Sequence, residues 1–424
     1  MEKDRKLKLK GISRRTFIKY AGTAAAAAGT GFFHNIAVGK VPEVKIGHIN
    51  PLSGPLAITA SHVVAGTKLG VDEINAKGGI KSLGGAKLTV IDADSQGKPE
   101  IGMAEAEKLI QAGCIALVGA FQSSVTLTAS EVAQRFRTPF LCTIGIADEI
   151  TQRGYEYVFR LEQSASRGAE DYDEAIAWLE KKTGEPIRTS VNIHENTLFG
   201  VSMAGFLRKA LGKHSKLNII KEISYPHTTK DLTSEIIQIK GLNPDIITPT
   251  SYEQDGMLMT RTLYEQRVDL KACIACCSAG HFGEHIIRPL GNLQEYICIV
   301  NAFVNPKHPR YNEIKQKFES KNKIIWNVYS AHGYDAVQVI ADALERAGTT
   351  EKDKLRDAIS KTNKVIGTIL CDPPAIRFGS DGQNVSAKFG LIQCLGQKDT
   401  VIWPEAIKER DPVFPVPKWK DRKI

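Results

Sequence analysis

The sequence predicts an α/β protein with two doubly wound parallel-sheet lobes, and three observations support this class. Residues 44–92 read as strand, loop, helix and strand, which is one βαβ unit. Strand and helix patterns then alternate through the middle of the chain, and a second series starts at residues 189–194. The chain has 424 residues, enough for two ordinary domains. Each series is too long to share one small sheet, so we expect two lobes.

The opening unit follows from local patterns. Residues 44–49 (VKIGHI) alternate as a strand, and residues 51–55 (PLSGP) form a turn. Apolar residues recur at helical spacing over 63–74, and Gly78 and Gly79 end that helix. The loop after the first strand of such a unit presents backbone N–H groups to ligands.

The same alternation organises the rest of the chain. The first series continues with strands at 115–119, 140–143 and 157–160, and a long helix follows over 169–182. The second series has strands at 189–194, 217–223, 245–249 and 272–275, with helices between them. Repeated βα units of this kind imply parallel sheets covered by helices.

The net charge of +9 is concentrated at the N-terminus. Residues 1–39 carry +6 of it, which leaves +3 on the remaining chain. This distribution is not that of a nucleic-acid-binding surface, and the sequence contains no DNA- or RNA-recognition motif. The apolar content of 42% and charged content of 24% are typical of a soluble globular protein.

Residues 1–39 read as an export signal. A basic segment precedes residues 13–19 (SRRTFIK), followed by a weakly apolar run over 21–33 and small residues at 37–39. SRRTFIK is close to the twin-arginine signal, which addresses folded cargo. The alternative is a basic tail beside an alanine-rich helix. The apolar run is shorter than the roughly 20 residues that span a bilayer. We therefore expect a periplasmic protein, tethered to the membrane if the signal stays uncleaved.

The sequence gives no positive sign of catalysis. Four of the eight cysteines, Cys114, Cys142, Cys273 and Cys298, lie in apolar, strand-like runs, where a buried thiol is the default interpretation. The cluster of Cys273, Cys276 and Cys277 leaves a metal or redox site open as an alternative, and a structural disulfide elsewhere in the chain is another. The sequence has no nucleophile elbow, HExxH motif or Walker loop. We expect neither an enzyme nor a protein that carries a metal or cofactor.

The best candidate for a binding site is the loop and helix start at residues 119–126 (GAFQSSVT). This segment follows the strand at 115–119 and precedes a helix expected from about Thr126. Ser123 and Ser124 can cap that helix while its free N–H groups face a cleft, where a carboxylate is the natural ligand. Plain N-capping is the alternative interpretation.

Several motifs in order resemble those of the periplasmic branched-chain amino-acid-binding proteins, the receptor components of ABC importers. Residues 46–54 match I-G-x-x-x-P-L-S-G, and residues 70–80 (GVDEINAKGGI) match the helix that follows in that family. Residues 329–348 and 378–383 resemble a later helix and a closing turn. The resemblance covers residues 44–396. It implies the type I periplasmic binding protein fold, in which three crossover strands join two lobes.

The resemblance also implies the domain boundaries. The first lobe comprises residues 43–163 and 301–370, and the second comprises 164–300 and 371–403. Crossings between lobes are expected near residues 161–164, 299–302 and 369–372. Residues 404–424, with four prolines, form an irregular C-terminal tail.

Ligand-binding residues are carried over from the family position by position. Ser123 matches the serine that holds the ligand carboxylate. Ile146 stands where the family has a threonine for the α-ammonium, although the backbone carbonyl of Ile144 remains. Ser278 lies near the position where the family often has an acidic partner for the ligand ammonium. Phe199 stands where the family has an aromatic residue. The remaining candidates are Gln122, Ser124, Thr59, Ser251, Tyr252 and Tyr329.

The predicted function is that of an extracytoplasmic substrate-binding protein of an ABC importer. It captures a branched-chain amino acid, or a related small carboxylate without the amine, between closing lobes. The partners are this ligand and the membrane permease and ATPase of the importer. A ligand-sensing regulator on the same bilobal fold is the alternative. Ser123→Ala is expected to weaken ligand binding with little change in the stability of the empty protein.

Overall fold

The structure is a computed structural model that describes residues 43–364, 368–369, 371 and 374–423. The predicted export signal at residues 1–39 lies outside the described residues. No helix in the described part of the chain is both long enough and apolar enough to cross a membrane.

The first lobe is built on a five-stranded parallel sheet. Its strands are β1 (Glu43–Asn50), β2 (Lys87–Asp94), β3 (Ala116–Gly119), β4 (Phe140–Cys142) and β5 (Val158–Arg160). Helices α1 (Ala57–Ala76), α2 (Pro99–Gln111) and α3 (Ser123–Arg135) connect the first four strands. The strand order is β2-β1-β3-β4-β5, so the sheet changes direction between β1 and β3. Ligands of doubly wound sheets bind at this change of direction, beyond the carboxyl ends of the strands.

The second lobe repeats the plan. After α4 (Ala165–Thr183) come β6 (Thr189–Glu195), α5 (Leu198–Ala210), β7 (Asn218–Tyr225), α6 (Thr233–Leu242) and β8 (Ile246–Thr250). They are followed by α7 (Glu253–Glu265), β9 (Ala272–Cys276), α8 (Glu284–Leu290) and β10 (Cys298–Asn301). The five parallel strands have the order β7-β6-β8-β9-β10, and every residue of β8 and β9 is buried. Burial on both faces suits apolar strands covered by helices.

The chain then returns to the first lobe. Helices α9 (Tyr311–Asn322), α10 (Val328–Ala347) and α11 (Lys352–Ser360) follow β10, and α10 packs along α1. A short pair, β11 (Asn363–Lys364) and β12 (Ile376–Arg377), precedes β13 (Gly390–Cys394) and β14 (Asp399–Trp403). These last two strands extend the second sheet in antiparallel fashion beside β10. The α/β class with two doubly wound, mainly parallel lobes is confirmed.

Buried polar contacts tie the connecting segments together. Asp335 of α10 accepts the backbone N–H groups of Thr368 and Ile369, at 2.6 and 3.1 Å. Gln383 pairs with Arg160 at the end of β5, so the chain still lies beside the first sheet at that point. This position is later in the chain than the crossing expected near 369–372, part of which lies outside the described residues. The other domain boundaries stay predictions.

The C-terminal tail is irregular, but it is not detached. The side chain of Trp419 is buried, donates a hydrogen bond to the carbonyl of Val268 at 2.8 Å and packs on Tyr264. Arg422 lies over the Trp419 ring. The tail therefore covers part of the second lobe.

Helices α1 and α10 approach each other through glycine. A Cβ atom on Gly66 would overlap the carbonyl oxygen of Ser330, and one on Gly333 would overlap the carbonyl oxygen of Val63. These contacts involve backbone, which cannot move aside as a flexible side chain can. Both positions therefore require the absence of a side chain.

We expect Gly66→Ala to lower the free energy of unfolding by about 1–3 kcal/mol, because the added methyl group forces the two helices apart. Gly241→Ala is the matched control, since Gly241 is also helical but has open space around its Cα. That substitution should raise stability by about 0.5–1 kcal/mol through helix propensity. Urea denaturation measures both. Equal effects of the two substitutions would contradict the close helix contact.

Candidate functional site

A cavity lies between the carboxyl ends of the two sheets, where both lobes present their loops. The space between its walls is about 470 Å³ when the open solvent at its mouth is included. Its lining combines apolar, aromatic and few polar side chains, as small-molecule sites do. The lining residues are Phe121, Ser123, Ile144, Ile146, Glu162, Phe199, Tyr252, Cys277, Ala279, Asn301, Val328 and Tyr329.

The first lobe contributes Ser123 at the start of α3. The helix begins at Ser123 and not near Thr126 as predicted, so Ser123 is its first residue and not a cap in the preceding loop. Its hydroxyl oxygen accepts the N–H groups of Ile146 at 3.2 Å and Ala147 at 3.3 Å. The hydroxyl keeps its own proton, which is available to an oxygen atom of a ligand.

The N-terminus of α3 gives this wall of the cavity a positive character. The N–H groups of the first helical turn have no partner within the helix, and the helix dipole adds to their effect. A carboxylate is therefore favoured beside Ser123. The same geometry disfavours a cation at this end of the cavity.

The loop after β4 forms the neighbouring wall with Ile144 and Ile146. It is held from behind by the guanidinium of Arg160, which donates hydrogen bonds to the carbonyl of Ala147 at 2.7 Å and to Gln383 Oε1 at 2.6 Å. Arg160 is only 1% exposed. The two isoleucines thus belong to a rigid loop and present apolar surface to the cavity.

The second lobe contributes an aromatic pair from its own change of sheet direction. Phe199 lies just after β6 and Tyr252 just after β8, and their ring centroids are 5.2 Å apart. Burial raises the pKa of the Tyr252 phenol, so that side chain stays neutral. These two rings, tilted by 44° to each other, form an apolar surface on the side of the cavity that the second lobe provides.

Tyr329, in the first turn of α10, completes the aromatic lining. Its ring lies 5.6 Å from that of Phe121 in the first lobe and 5.4 Å from that of Phe282 in the second. Ring pairs at these distances and tilted angles are favourable. Tyr329 therefore connects the two lobes across the cavity.

Glu162 is a cavity residue that the sequence interpretation missed. It lies on the segment that leaves β5, inside the crossing expected at 161–164, and is 5% exposed. Burial raises the pKa of its carboxyl group to about 8. A carboxyl side chain within the crossing expected at residues 161–164 is the sequence signal that could have identified it.

Four further lining residues could have been predicted from their positions in the sequence. Asn301 is a polar residue at the end of β10, and Cys277 and Ala279 follow β9, so all three lie at carboxyl ends of strands. Phe121 lies within the loop that was selected for Ser123. Val328, at the start of α10, carries no comparable signal.

Five predicted residues do not line the cavity, and four of them are Gln122, Ser124, Ser251 and Ser278. Gln122 and Ser124 line a larger outer cleft, with about 1490 Å³ of space, that Tyr252 also borders. Ser251 and Ser278 are fully buried behind the wall, where their hydroxyl oxygens are 2.7 Å apart. His281 Nδ1 lies 2.8 Å from the Ser278 hydroxyl. These two serines support the loops after β8 and β9. Contact of any of the four with a ligand stays a prediction.

Thr59 lies at a contact between the lobes and not on the cavity wall. Its hydroxyl oxygen is 3.2 Å from His285 Nε2 of α8. The carboxyl group of Glu253 from α7 lies near the backbone N–H of Thr59, in the first turn of α1. Burial raises the pKa of Glu253 to about 8 and lowers that of His285 to about 4. Thr59 therefore joins the two lobes.

The cysteines form neither a disulfide nor a metal centre in the described part of the chain. All eight belong to it, and all are buried free thiols. No group of three or more His, Cys, Asp or Glu side chains there could hold a metal ion. Burial raises the pKa of Cys277, which keeps its thiol protonated in the cavity.

We expect Ser123→Ala to lower the free energy of unfolding by about 1–3 kcal/mol, because the N–H groups of Ile146 and Ala147 lose their acceptor. The small change expected from sequence does not fit these contacts. Ser124→Ala, one residue along and lining the outer cleft, is the matched control and should change stability by less than about 0.5 kcal/mol. Chemical denaturation of the ligand-free variants tests this, and equal stabilities would contradict it.

Comparisons with known proteins agree with this architecture. The family model for periplasmic binding proteins matches residues 43–396. Leu/Ile/Val-binding protein homolog 7 of Brucella abortus is 27% identical over 380 residues, covering 86% of this chain and 92% of the relative.

Two solved structures share the fold. One is the branched-chain amino acid transporter substrate-binding protein LivJ of Streptococcus pneumoniae with isoleucine, at a TM-score of 0.74 and 20% identity. That likeness covers 85% of this chain and all of the other. The second is a solute-binding protein of an R. palustris ABC transporter with benzoate, at a TM-score of 0.72 and 19% identity. That likeness covers 86% of this chain and 99% of the other. With a family model that matches most of its length, the chain belongs to the periplasmic binding protein family.

Proposed function

We propose that this chain is the substrate-binding component of an ABC importer and that it captures a small apolar carboxylate, with or without an amine, by closure of its two lobes. The observation that carries the proposal is the cavity at the facing carboxyl ends of both sheets. It places the N-terminus of α3 and Ser123 opposite the rings of Phe199 and Tyr252. One end suits a carboxylate and the other an apolar group.

The relatives support this class of ligand. The Brucella abortus relative is named for leucine, isoleucine and valine, and the two solved structures hold isoleucine and benzoate. A branched aliphatic and an aromatic side chain are both apolar and both accompany a carboxylate. The aromatic and aliphatic lining of this cavity is compatible with either.

Closure follows from the division of the cavity walls between the lobes. A ligand held by Ser123 in the first lobe gains contact with Phe199 and Tyr252 only when the second lobe approaches. Those contacts favour the closed state, as differential binding requires. The closed receptor is then recognised by the permease, whose ATPase drives import.

We expect apolar amino acids or their amine-free counterparts to bind and to raise the melting temperature. A ligand at 100 times its Kd adds about 2.7 kcal/mol of stability. A thermal-shift screen of aliphatic and aromatic amino acids, short branched carboxylates and benzoates tests this. Small-angle scattering with the best ligand should show a more compact particle. The proposal fails if none of these compounds binds.

Thr59→Val tests the closing contact, because valine has the shape of threonine but cannot bond to His285. One hydrogen bond is worth about 0.5–1.5 kcal/mol, so the affinity for that ligand should fall about three- to tenfold. Thr262→Val is the matched control, since its hydroxyl bonds only within α7, to Leu258 at 2.9 Å. Equal affinities of the two variants would show that the Thr59 hydroxyl does not contribute to closure of the lobes.

We further propose that the protein reaches the periplasm by the twin-arginine route. The sequence SRRTFIK at residues 13–19, with the apolar run that follows, supports this location. A cytoplasmic, ligand-sensing regulator of the same fold would need no such segment.

Replacing both Arg14 and Arg15 with lysine should block export and leave the precursor in the cytoplasm, because the route reads the arginine pair. Arg5→Lys, elsewhere in the same basic segment, is the matched control and should be exported normally. Cell fractionation with immunoblotting gives the readout. Export of the double variant would contradict the twin-arginine route, and retention of the unchanged protein would favour the regulator.

A further inference from the structure

The cavity has opposite electrical character at two points. Of its twelve lining residues, all in the described part of the chain, none is lysine or arginine, and Glu162 alone carries a carboxyl group. Ser123 and the N-terminus of α3 supply the positive end. A ligand with one negative and one positive group is therefore matched to both points.

The carboxyl group of Glu162 is held in a fixed orientation. Its Oε1 accepts the backbone N–H of Gln163 at 2.8 Å, and its Oε2 lies 3.3 Å from His332 Nε2. The other ring nitrogen of His332, Nδ1, is 2.8 Å from the carbonyl oxygen of Val328. Because a carbonyl oxygen only accepts, Nδ1 carries the ring proton. In the neutral ring Nε2 therefore carries a lone pair, and it makes no hydrogen bond within the described part of the chain.

Burial keeps both Glu162 and His332 uncharged. Burial raises the pKa of Glu162 to about 8 and lowers that of His332 to about 4. Among the described residues, the ionisable groups near Glu162 come from five segments and include one permanent cation, Arg160. These groups are Arg160 on β5, His332 and Tyr329 on α10, Cys277 after β9, Cys142 on β4 and Cys371.

The guanidinium of Arg160 is already engaged. It donates to the carbonyl of Ala147 and to Gln383 Oε1, and Arg160 is not among the residues that line the cavity. The carboxyl group of Glu162 thus lacks a counter-charge on the cavity side. A ligand ammonium would supply one and favour the ionised carboxylate, since an opposite charge within about 4–6 Å lowers a carboxyl pKa.

We propose that Glu162 binds the ammonium group of the ligand, so that the cavity selects an α-amino acid with an apolar side chain over the same acid without its amine. This inference rests on the proposed function and names the ligand class. The acidic partner then comes from the segment between the lobes. Glu162 would thus take over the contact to the ammonium group that the family resemblance assigned to a threonine at position 146 and to an acid near position 278.

Two pairs of ligands isolate the amine. Leucine and 4-methylpentanoate share a branched chain and a carboxylate, and phenylalanine and 3-phenylpropanoate share a benzyl group and a carboxylate. Isothermal titration with the full-length mature protein gives four affinities. The same four are measured for Glu162→Gln, which keeps the shape of the side chain but cannot ionise.

We expect the natural protein to bind at least one amino acid about 100-fold more tightly than its amine-free partner, as a buried charge pair allows. In Glu162→Gln this preference should fall below about threefold, through loss of affinity for the amino acid. The affinity for the amine-free acid should change by less than about threefold. Asp399→Asn removes a partly buried acid that accepts the Gly283 N–H and is absent from the lining, and this variant should keep the full preference.

Three results would overturn the inference. Equal affinity of the natural protein for both members of each pair would show that the amine is not recognised. A preference that survives in Glu162→Gln, with an unchanged melting temperature, would assign the recognition to another group. Both results leave the proposed capture of a small apolar carboxylate intact. Absence of binding by all four compounds and by benzoate would overturn that function together with this inference.

Discussion

The buried guanidinium of Arg160 is the interaction on which the geometry of the cavity depends. A buried cation is strongly unfavourable unless its N–H groups find acceptors. Here those acceptors are the carbonyl of Ala147 in the loop after β4 and Gln383 in the chain that returns to β5. One side chain thus fixes a strand end, the wall containing Ile146 and the third connecting segment. Glu162 lies two residues further along the same backbone, and its position follows from this anchor.

The fold class was predictable because parallel sheets leave a strong periodic signal. Buried strands such as β8 read as apolar runs, and the glycines and prolines after β1 mark the loop at the change of sheet direction. Ser123, Phe199 and Tyr252 could be selected for the same reason, since strand ends can be located from the pattern. The start of α3 was misplaced because Ser123 and Ser124 resemble caps. In the structure they form the first helical turn.

Glu162 could not be selected by the same reasoning. Its place in the cavity depends on His332, which is 170 positions away, and on the burial of both side chains. Ser251 and Ser278 illustrate the opposite error, because residues after strand ends can also serve as internal struts. Their hydroxyl groups bond to one another. Periodicity locates the edge of a sheet, whereas the direction of each side chain at that edge is decided by tertiary packing.

The burial of all eight thiols bears on how such a chain can pass into an oxidising compartment. A thiol exchanges with a disulfide only as a thiolate that the partner can reach. Cys276 and Cys277 adjoin in sequence with their sulfur atoms 3.9 Å apart, yet both are enclosed. A polypeptide crossing the membrane unfolded would meet disulfide-forming catalysts with every sulfur accessible, and mispaired bridges would follow. Under the proposed twin-arginine route the chain would fold before translocation, and its core would then keep those sulfurs from forming scrambled cross-links.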